Sequence, residues 1–450
     1  MITESHSALA KKVMQRALKR GAKEAEVFLQ VGRSADVRVR DGEIEDLTQA
    51  TSKGLGLRVI VKKKLGFVWT SDFDLKGLDA LIDRAIALAD MSAANPLNGL
   101  PDREALGKIP DVGALYDGRV ADLPPDWKIK ASLEMEKVIK AFDPRIKTIE
   151  SVGAGESVSE VHLASSAGMH GSYEGTSVYL YASPVATDGT QLQTSYWYDA
   201  KRFFEDLGSP EDVAKKAAQR AVRLLGAKKI KSEKLPVVFD PTMAAGFVAS
   251  IAGAMNGDAV FKRASFLASK LGQKIAPEHF TLIDEGLRPR GLATSPFDGE
   301  GVPTRNTPLV ENGVLKAFLY DTFTARKAKT KTTGNASRGY RSLPGIGVNN
   351  LVLTPGTRTP EEILKEIPRG LYVTAMLGHG ANTITGEYSR GANGLLIENG
   401  ELTQPVQEVT VAGNLNDMLL QLDAIGSDLH FHGATGASTL RFKELTISGE

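Results

Sequence analysis

Apolar positions along the first twenty residues recur at helical spacing, at Ala10, Val13, Met14, Ala17 and Leu18, and Gly21 stands where a C-cap belongs. Strand-like runs follow at Ala25–Val31, Asp36–Arg40, Glu43–Leu47, Gly56–Val61 and Gly66–Thr70. Asp41-Gly42 sits between two of them as a two-residue hairpin signal, since both turn positions require positive φ. Leu78, Leu81, Ile82, Ala85 and Ala89 mark a second amphipathic helix. Periodicity then stops. From Ser92 to Asp126 prolines recur and the chain reads as a long irregular connection.

A third helix is predicted from about Trp127 to Phe142, then alternating strands at Thr148–Val152, Ser157–Ala164, Ser172–Ala182 and Gln191–Tyr198. Ser209-Pro210-Glu211-Asp212 opens a helix that is expected to reach Gly226. The charged bridge Ala227–Lys234 is the expected major boundary. Beyond it come a strand at Leu235–Phe239 and a helix capped by Asp240-Pro241 and ending near Met255. Asn312-Gly313 and Asn399-Gly400 read as hairpins. Thr359 starts one short helix, Asn414 caps another through about Ile425, and Thr439–Ile447 alternates as a last strand. Strands adjoin strands more than they alternate with helices, which points to α+β. The expected parts are residues 1–91, a connection 92–126, a middle part 127–227 packing with the first, and a β-rich part 234–450 with few helices.

At 450 residues the chain is too long for one ordinary core. Its 55 basic and 54 acidic residues balance, so no electrostatic footprint for nucleic acid or an anionic membrane arises. The absence of cysteine excludes disulfides, thiolate metal sites and a cysteine nucleophile. No apolar run approaches the ~20 residues of a membrane helix, and a soluble cytoplasmic protein is the expectation.

Phosphate-binding glycine motifs and a nucleophile elbow are missing. Among the seven histidines, His430 and His432 would share one strand face and could seat a metal, or simply mark a surface strand or turn. His379, between Gly378 and Gly380, could face a ligand or sit in a turn. The densest polar block runs from Phe297 to Gly339. Asp298 and Glu300 could bind a cation, a peptide amine or Arg305, or form turns. Together with Arg305, Arg326 and Asn335 they are expected around one substrate cleft.

The segments FDGEGVPTRNTPLVENGVLKAFLYDTFTARK, TTGNA, ITGEYSRGANGLLIENGE, PVQEVTVAGNLNDML and ELTISG, in this order and spacing, resemble the TldD/TldE (PmbA) peptidase family. DVRVRDGEIEDLTQATSKGLGLRVIV resembles the family's opening strands. The resemblance implies an N-terminal α+β domain, a β-rich C-terminal domain, and hydrolysis of small or unfolded peptides by a paired complex. The family's zinc subunit carries His-Glu-x-x-x-His in the helix that opens the C-terminal domain. Alignment through Gly257-Asp258 and Ser265-Phe266 places Val248, Ala249 and Gly253 at those positions.

Val248, Ala249 and Gly253 can neither ligate a metal nor act as a base. The family's further cysteine ligand is absent, and His432 stands near its place. The resemblance therefore implies a TldE/PmbA-type subunit with no catalytic residues and no metal of its own, and zinc in a TldD-like partner. A non-catalytic, homodimeric peptide-binding or scaffold protein is the alternative. Neither reading involves nucleic acid or a membrane.

Overall fold

The computed structural model describes residues 4–378 and 380–450. Its first half is built on helix α1 (Glu4–Lys19), strands β1 (Glu24–Arg40), β2 (Glu43–Val61) and β3 (Lys64–Thr70), and helix α2 (Leu75–Met91). After the connection, which holds the single-turn α3 (Gly118–Ala121), come α4 (Pro125–Phe142), β4 (Ile146–Ser165) and β5 (His170–Thr187). Short β6 (Leu192–Thr194), β7 (Trp197–Lys201) and α5 (Pro210–Val222) complete it. The sheet order is β3-β2-β1-β4-β5-β6, antiparallel throughout, with β7 also on β5.

Where the hydrophobic pattern predicts separate strands at 25–31 and 36–40, the chain forms one strand of 17 residues. The reason is coverage. Helices α1 and α2 pack over one end of the sheet, burying Val13, Ala17, Leu29 and Leu57. Helices α4 and α5 pack over the other, burying Met135, Ala217, Val37 and Leu180. Between the two helix pairs Arg33 and Ser34 are exposed and the apolar alternation lapses, while backbone pairing runs on from Gly32↔Ser52 to Ala35↔Gln49. Because β1 pairs β4, the first and middle parts of the chain share one sheet.

The second half opens with β8 (Glu233–Phe239), α6 (Pro241–Gly253) and α7 (Gly257–Phe261). Then follow β9 (Leu282–Glu285), β10 (Asn306–Glu311), β11 (Val314–Leu315), α8 (Thr322–Lys327), β12 (Ala336–Ser337), β13 (Gly345–Ile346) and β14 (Asn350–Leu353). The chain ends with α9 (Pro360–Lys365), β15 (Arg369–Leu377), β16 (Glu387–Glu398), β17 (Glu401–Asn414), α10 (Leu415–Gln421), β18 (Leu422–Ile425), β19 (His430–His432), β20 (Thr435–Ala437) and β21 (Leu440–Ser448). The helix capped by Asn414 is shorter than its sequence suggests, since Leu422–Ile425 leaves it to pair with β21.

One sheet runs β17-β16-β15-β8-β21-β18, and a further pairing of β17 with β21 closes five of these strands into a ring. The other runs β11-β10-β9-β14-β20-β19. Helix α6 contributes Ala244, Phe247, Val248 and Ile251 to the core they share. Its start is fixed by Asp240, whose carboxylate accepts from Met243 N at 2.9 Å and from Arg220 at 2.7 Å. The α+β class read from the sequence is the class of the fold.

All three two-residue turns read from sequence take their positive φ pairs, at Asp41-Gly42, Asn312-Gly313 and Asn399-Gly400. The surroundings differ. A Cβ on Gly42 meets nothing within 4 Å, whereas one on Gly313 would stand 2.1 Å from the carbonyl oxygen of Ala276. Gly42→Ala is expected to cost about 1 kcal/mol of left-handed strain, and Gly313→Ala a further ~1–3 kcal/mol of overpacking. Urea unfolding of the two variants checks the order.

Candidate functional site

The block from Phe297 to Gly339 is organised from inside by Asp298. Its Oδ1 accepts the amides of Glu300 and Val302 at 2.9 and 3.0 Å, and its Oδ2 accepts Ala336 N at 2.9 Å. These bonds fold Phe297–Val302 into a tight turn and tie it to the strand that follows Asn335. Gly301 makes the turn possible, with φ +82° and Met169 Cγ 2.4 Å from where a Cβ would stand. Burial and the charge of Glu300 push the Asp298 carboxyl up to about 7, against the pull of the three amide donors.

Glu300 points the other way, into the seam with the N-terminal sheet. It accepts from Arg58 Nη1 at 2.9 Å and from Thr322 N, at the start of α8, at 2.8 Å. Arg58 also donates to Glu26 Oε2 at 3.1 Å, and Arg338 pairs with Glu26 Oε1 at 2.7 Å while lying 4.6 Å over the Phe28 ring. All four charged side chains are at most 6 % exposed. Two carboxylates and two guanidinium groups thus form a neutral buried chain between the two halves of the molecule. Burial opposes the Glu300 charge, but Arg58 and Thr322 outweigh it and hold the carboxyl below its ordinary value.

Arg305 and Arg326 line a cleft of about 460 Å³. One wall comes from the connection, with Asp102, Glu104 and Lys108, and the other from Pro303–Arg305 and Thr330–Thr332. Arg326 holds the connection in place by donating to Leu97 O at 3.3 Å, Leu100 O at 2.6 Å and Asp102 Oδ1 at 2.9 Å. Arg305 is exposed, lines the cleft and reaches Thr332 O at 3.3 Å. Lys108 and Lys331 add to its positive character.

A second cavity, about 190 Å³, is lined by Asp298, Asn335, Ser295, Ser337, Arg338 and Asn349, with Phe28, Tyr173 and Phe297 as its apolar side. Asn335 donates to Asp284 Oδ2 at 2.7 Å and to Gly347 O at 3.0 Å, and Asp284 is fully buried. The expectation of one cleft around all five residues is therefore corrected. Arg305 and Arg326 share one cavity, Asp298 and Asn335 another, and Glu300 lines neither because its carboxylate is consumed by Arg58 and Thr322.

Val248 is buried in the core, while Ala249 and Gly253 lie exposed on α6. None offers a donor atom toward the space above the helix. His430 and His432 do share a strand face, but His430 stacks on Trp197 with ring centroids 4.8 Å apart and His432 meets Tyr198 edge-on at 4.9 Å. Burial lowers the pKa of both, and no third metal-binding side chain gathers with them among the described residues. His379 lies outside the described residues.

Sequence reasoning missed Glu26, Arg58, Asp284 and Arg338. The signal was present for Arg58, a single charge inside the apolar run LGLRVIV, and weaker for Glu26, which follows Lys23 and Glu24 in KEAEVFL. It was absent for Asp102 and Lys108, which reach the cleft only because the connection folds back over α8.

Three family models together cover most of the chain. They are PmbA/TldA metallopeptidase domain 1 over residues 25–89, the central domain over 118–225 and the C-terminal domain over 232–449. The metalloprotease PmbA of Escherichia coli O157:H7 is 30% identical, over 95% of this chain and 92% of that protein. A Haemophilus influenzae PmbA homologue is 30% identical over 96% and 94% of the two chains. Among solved structures, a protein of Bacteroides thetaiotaomicron described as a modulator of DNA gyrase superposes with TM-score 0.91 at 31% identity over 100% of both chains. TldE from Thermococcus kodakarensis superposes with TM-score 0.90 at 26% identity over 98% of this chain and 100% of that one.

Two measurements test the interior of the site. Glu300→Ala leaves Arg58 buried with one partner and is expected to cost ~3–5 kcal/mol, read from denaturant unfolding. Asp298, raised from an ordinary 3.8 to about 7, makes folding less favourable as pH rises through that window, because the folded state then binds the extra proton. Carboxyl ¹³C titration is expected to place its midpoint near neutrality. A midpoint below 4 would mean that the three amide donors outweigh burial.

Proposed function

Since the chain belongs to the PmbA/TldA metallopeptidase family, we propose that it is the TldE/PmbA-type, non-metal subunit of a heterodimeric zinc peptidase. Its substrates are small or unfolded peptides, and the complex works in the cytoplasm. The observation that carries this reading is α6, where Val248, Ala249 and Gly253 stand in a helix that is otherwise retained for its packing. A bound zinc activates water by lowering its pKa toward neutrality, and no side chain on α6 replaces that function. The likeness to TldE from Thermococcus kodakarensis supports the same assignment. In this reading a TldD-like paralogue supplies the metal, and this chain shapes the substrate chamber.

The cleft gives that shaping role a chemical form. Arg305 is exposed at its mouth with Lys331 on the same wall, and Asp102, Glu104 and Lys108 line the facing wall. Opposed charges of this kind suit an extended peptide, whose carboxylates and amines each find a partner. The chain's near-zero net charge argues against a nucleic-acid substrate.

Mixing the chain with a His-Glu-x-x-x-His paralogue is expected to yield chelator-sensitive cleavage of an unstructured peptide, while this chain alone gives none. The complex should bury on the order of 2,000 Å² or more. Chelator-insensitive cleavage by the isolated chain would overturn the assignment, and failure to associate would favour the homodimeric binding protein. Within the active mixture, Arg305→Ala is expected to raise KM about tenfold, equivalent to ~1.4 kcal/mol, and to leave the unfolding midpoint of this subunit unchanged.

A further inference from the structure

A cluster of metal-binding side chains lies far along the chain from α6, where α1 crosses β4. His6 is on the first turn of α1, and Glu160 and His162 are two apart on β4, so both of the latter face the helix. His6 Nδ1 stands 3.5 Å from Glu160 Oε2, and His162 Nε2 stands 3.3 Å from the same oxygen. Within this group every pair of donor atoms lies within 4.8 Å. Neither the cleft nor the buried ion chain uses these residues.

Two features distinguish the cluster from an ordinary hydrogen-bonded pair. Charge-assisted N–H···O bonds to a carboxylate close to about 2.7–2.9 Å, and both separations here are longer. They match instead the edge of a tetrahedral zinc shell, about 3.3 Å for ligands held at about 2.0–2.1 Å. The second feature is the far nitrogen of His162. Its Nδ1 is 2.8 Å from Ser7 Oγ, so the hydroxyl can accept the Nδ1 proton and leave the Nε2 lone pair aimed at Glu160. An outer hydrogen bond of this kind orients a metal-bound imidazole. The His162 side chain is 1 % exposed, Glu160 15 % and His6 23 %, which gives a rigid floor and an open side for a water as fourth ligand.

We propose that His6, Glu160 and His162 bind one divalent transition-metal ion of the zinc type, clipping α1 to the N-terminal sheet. Two imidazoles and one carboxylate form a donor set that suits zinc and disfavours magnesium or calcium, which take oxygen ligands. The first turn of α1 supplies His6, and a side-chain rotation of this partly exposed residue closes the last ligand-to-ligand gap. The clip fastens a helix whose apolar contacts to the sheet run through Ala10, Val13, Met14 and Ala17. It adds a metal to a chain for which the family resemblance implies none, and it is independent of the absence of donors on α6.

The test uses the full chain, stripped with chelator and titrated with zinc chloride by calorimetry. One equivalent is expected for the unaltered protein. His6→Ala and Glu160→Gln, both at partly exposed positions and checked for folding by circular dichroism, are each expected to weaken binding at least 100-fold. Ser7→Ala should weaken it about tenfold, and His430→Ala with His432→Ala should leave it unchanged. Saturating zinc should raise the unfolding midpoint of the unaltered protein and not that of His6→Ala. No zinc uptake, equal uptake by the His6 and Glu160 variants, or uptake lost only with His430 and His432 would each overturn the proposal.

Discussion

The buried ion chain Arg338–Glu26–Arg58–Glu300 is the constraint around which the two halves of this protein are arranged. Glu26 and Arg58 sit opposite each other in register on β1 and β2, and Glu300 and Arg338 come from loops of the second half. Each charge would be costly without its neighbours, since removing an ion from water without compensation takes several kcal/mol. With them, the set is neutral and its geometry admits one relative placement of sheet and loops. An apolar seam of the same area would tolerate sliding. The ion chain does not.

The cleft follows from that placement. Glu300 anchors the first amide of α8, and α8 carries Arg326, which in turn gathers the carbonyls of Leu97 and Leu100. The connection from 92 to 126 is therefore held from both sides, by Arg326 of the second half and by Glu24, Lys63 and Thr176 of the first. Asp298 performs a parallel task on the other side of the turn, holding Ala336 and hence Asn335 against Asp284. Two carboxylates separated by one glycine are thus turned to opposite purposes, one organising a loop and one joining domains. The open charge at the surface is left to Arg305.

Helix α6 is held by volume rather than by charge. Phe239, Phe247 and Phe442 meet with ring centroids 4.8 to 6.2 Å apart, and the helix fills the space between the two C-terminal sheets. Its packing face is intact where its outward face carries Ala249 and Gly253. An exposed helix face accepts substitution at little energetic cost, whereas a buried face is held by volume.

Much of the local structure was decided by the sequence alone. Turn glycines, the caps at Ser209, Asp240 and Thr359, and the helical spacing of α1, α2 and α4 are properties of a few adjacent residues, and all appear where the pattern puts them. Family membership was also legible, because motif order along the chain is a one-dimensional property. Strand length was not, since the apolar alternation lapses in the middle of β1 although its pairing continues. Nor was the division of Asp298, Glu300, Arg305, Arg326 and Asn335 between two cavities and a buried seam. Glu300 meets Arg58 across 242 residues, and His6 comes beside Glu160 across 154. Contacts at such separation leave no periodic trace in the chain. They are fixed only when whole sheets and helices pack, because burial then forces each charge to pair with the opposite charges within reach.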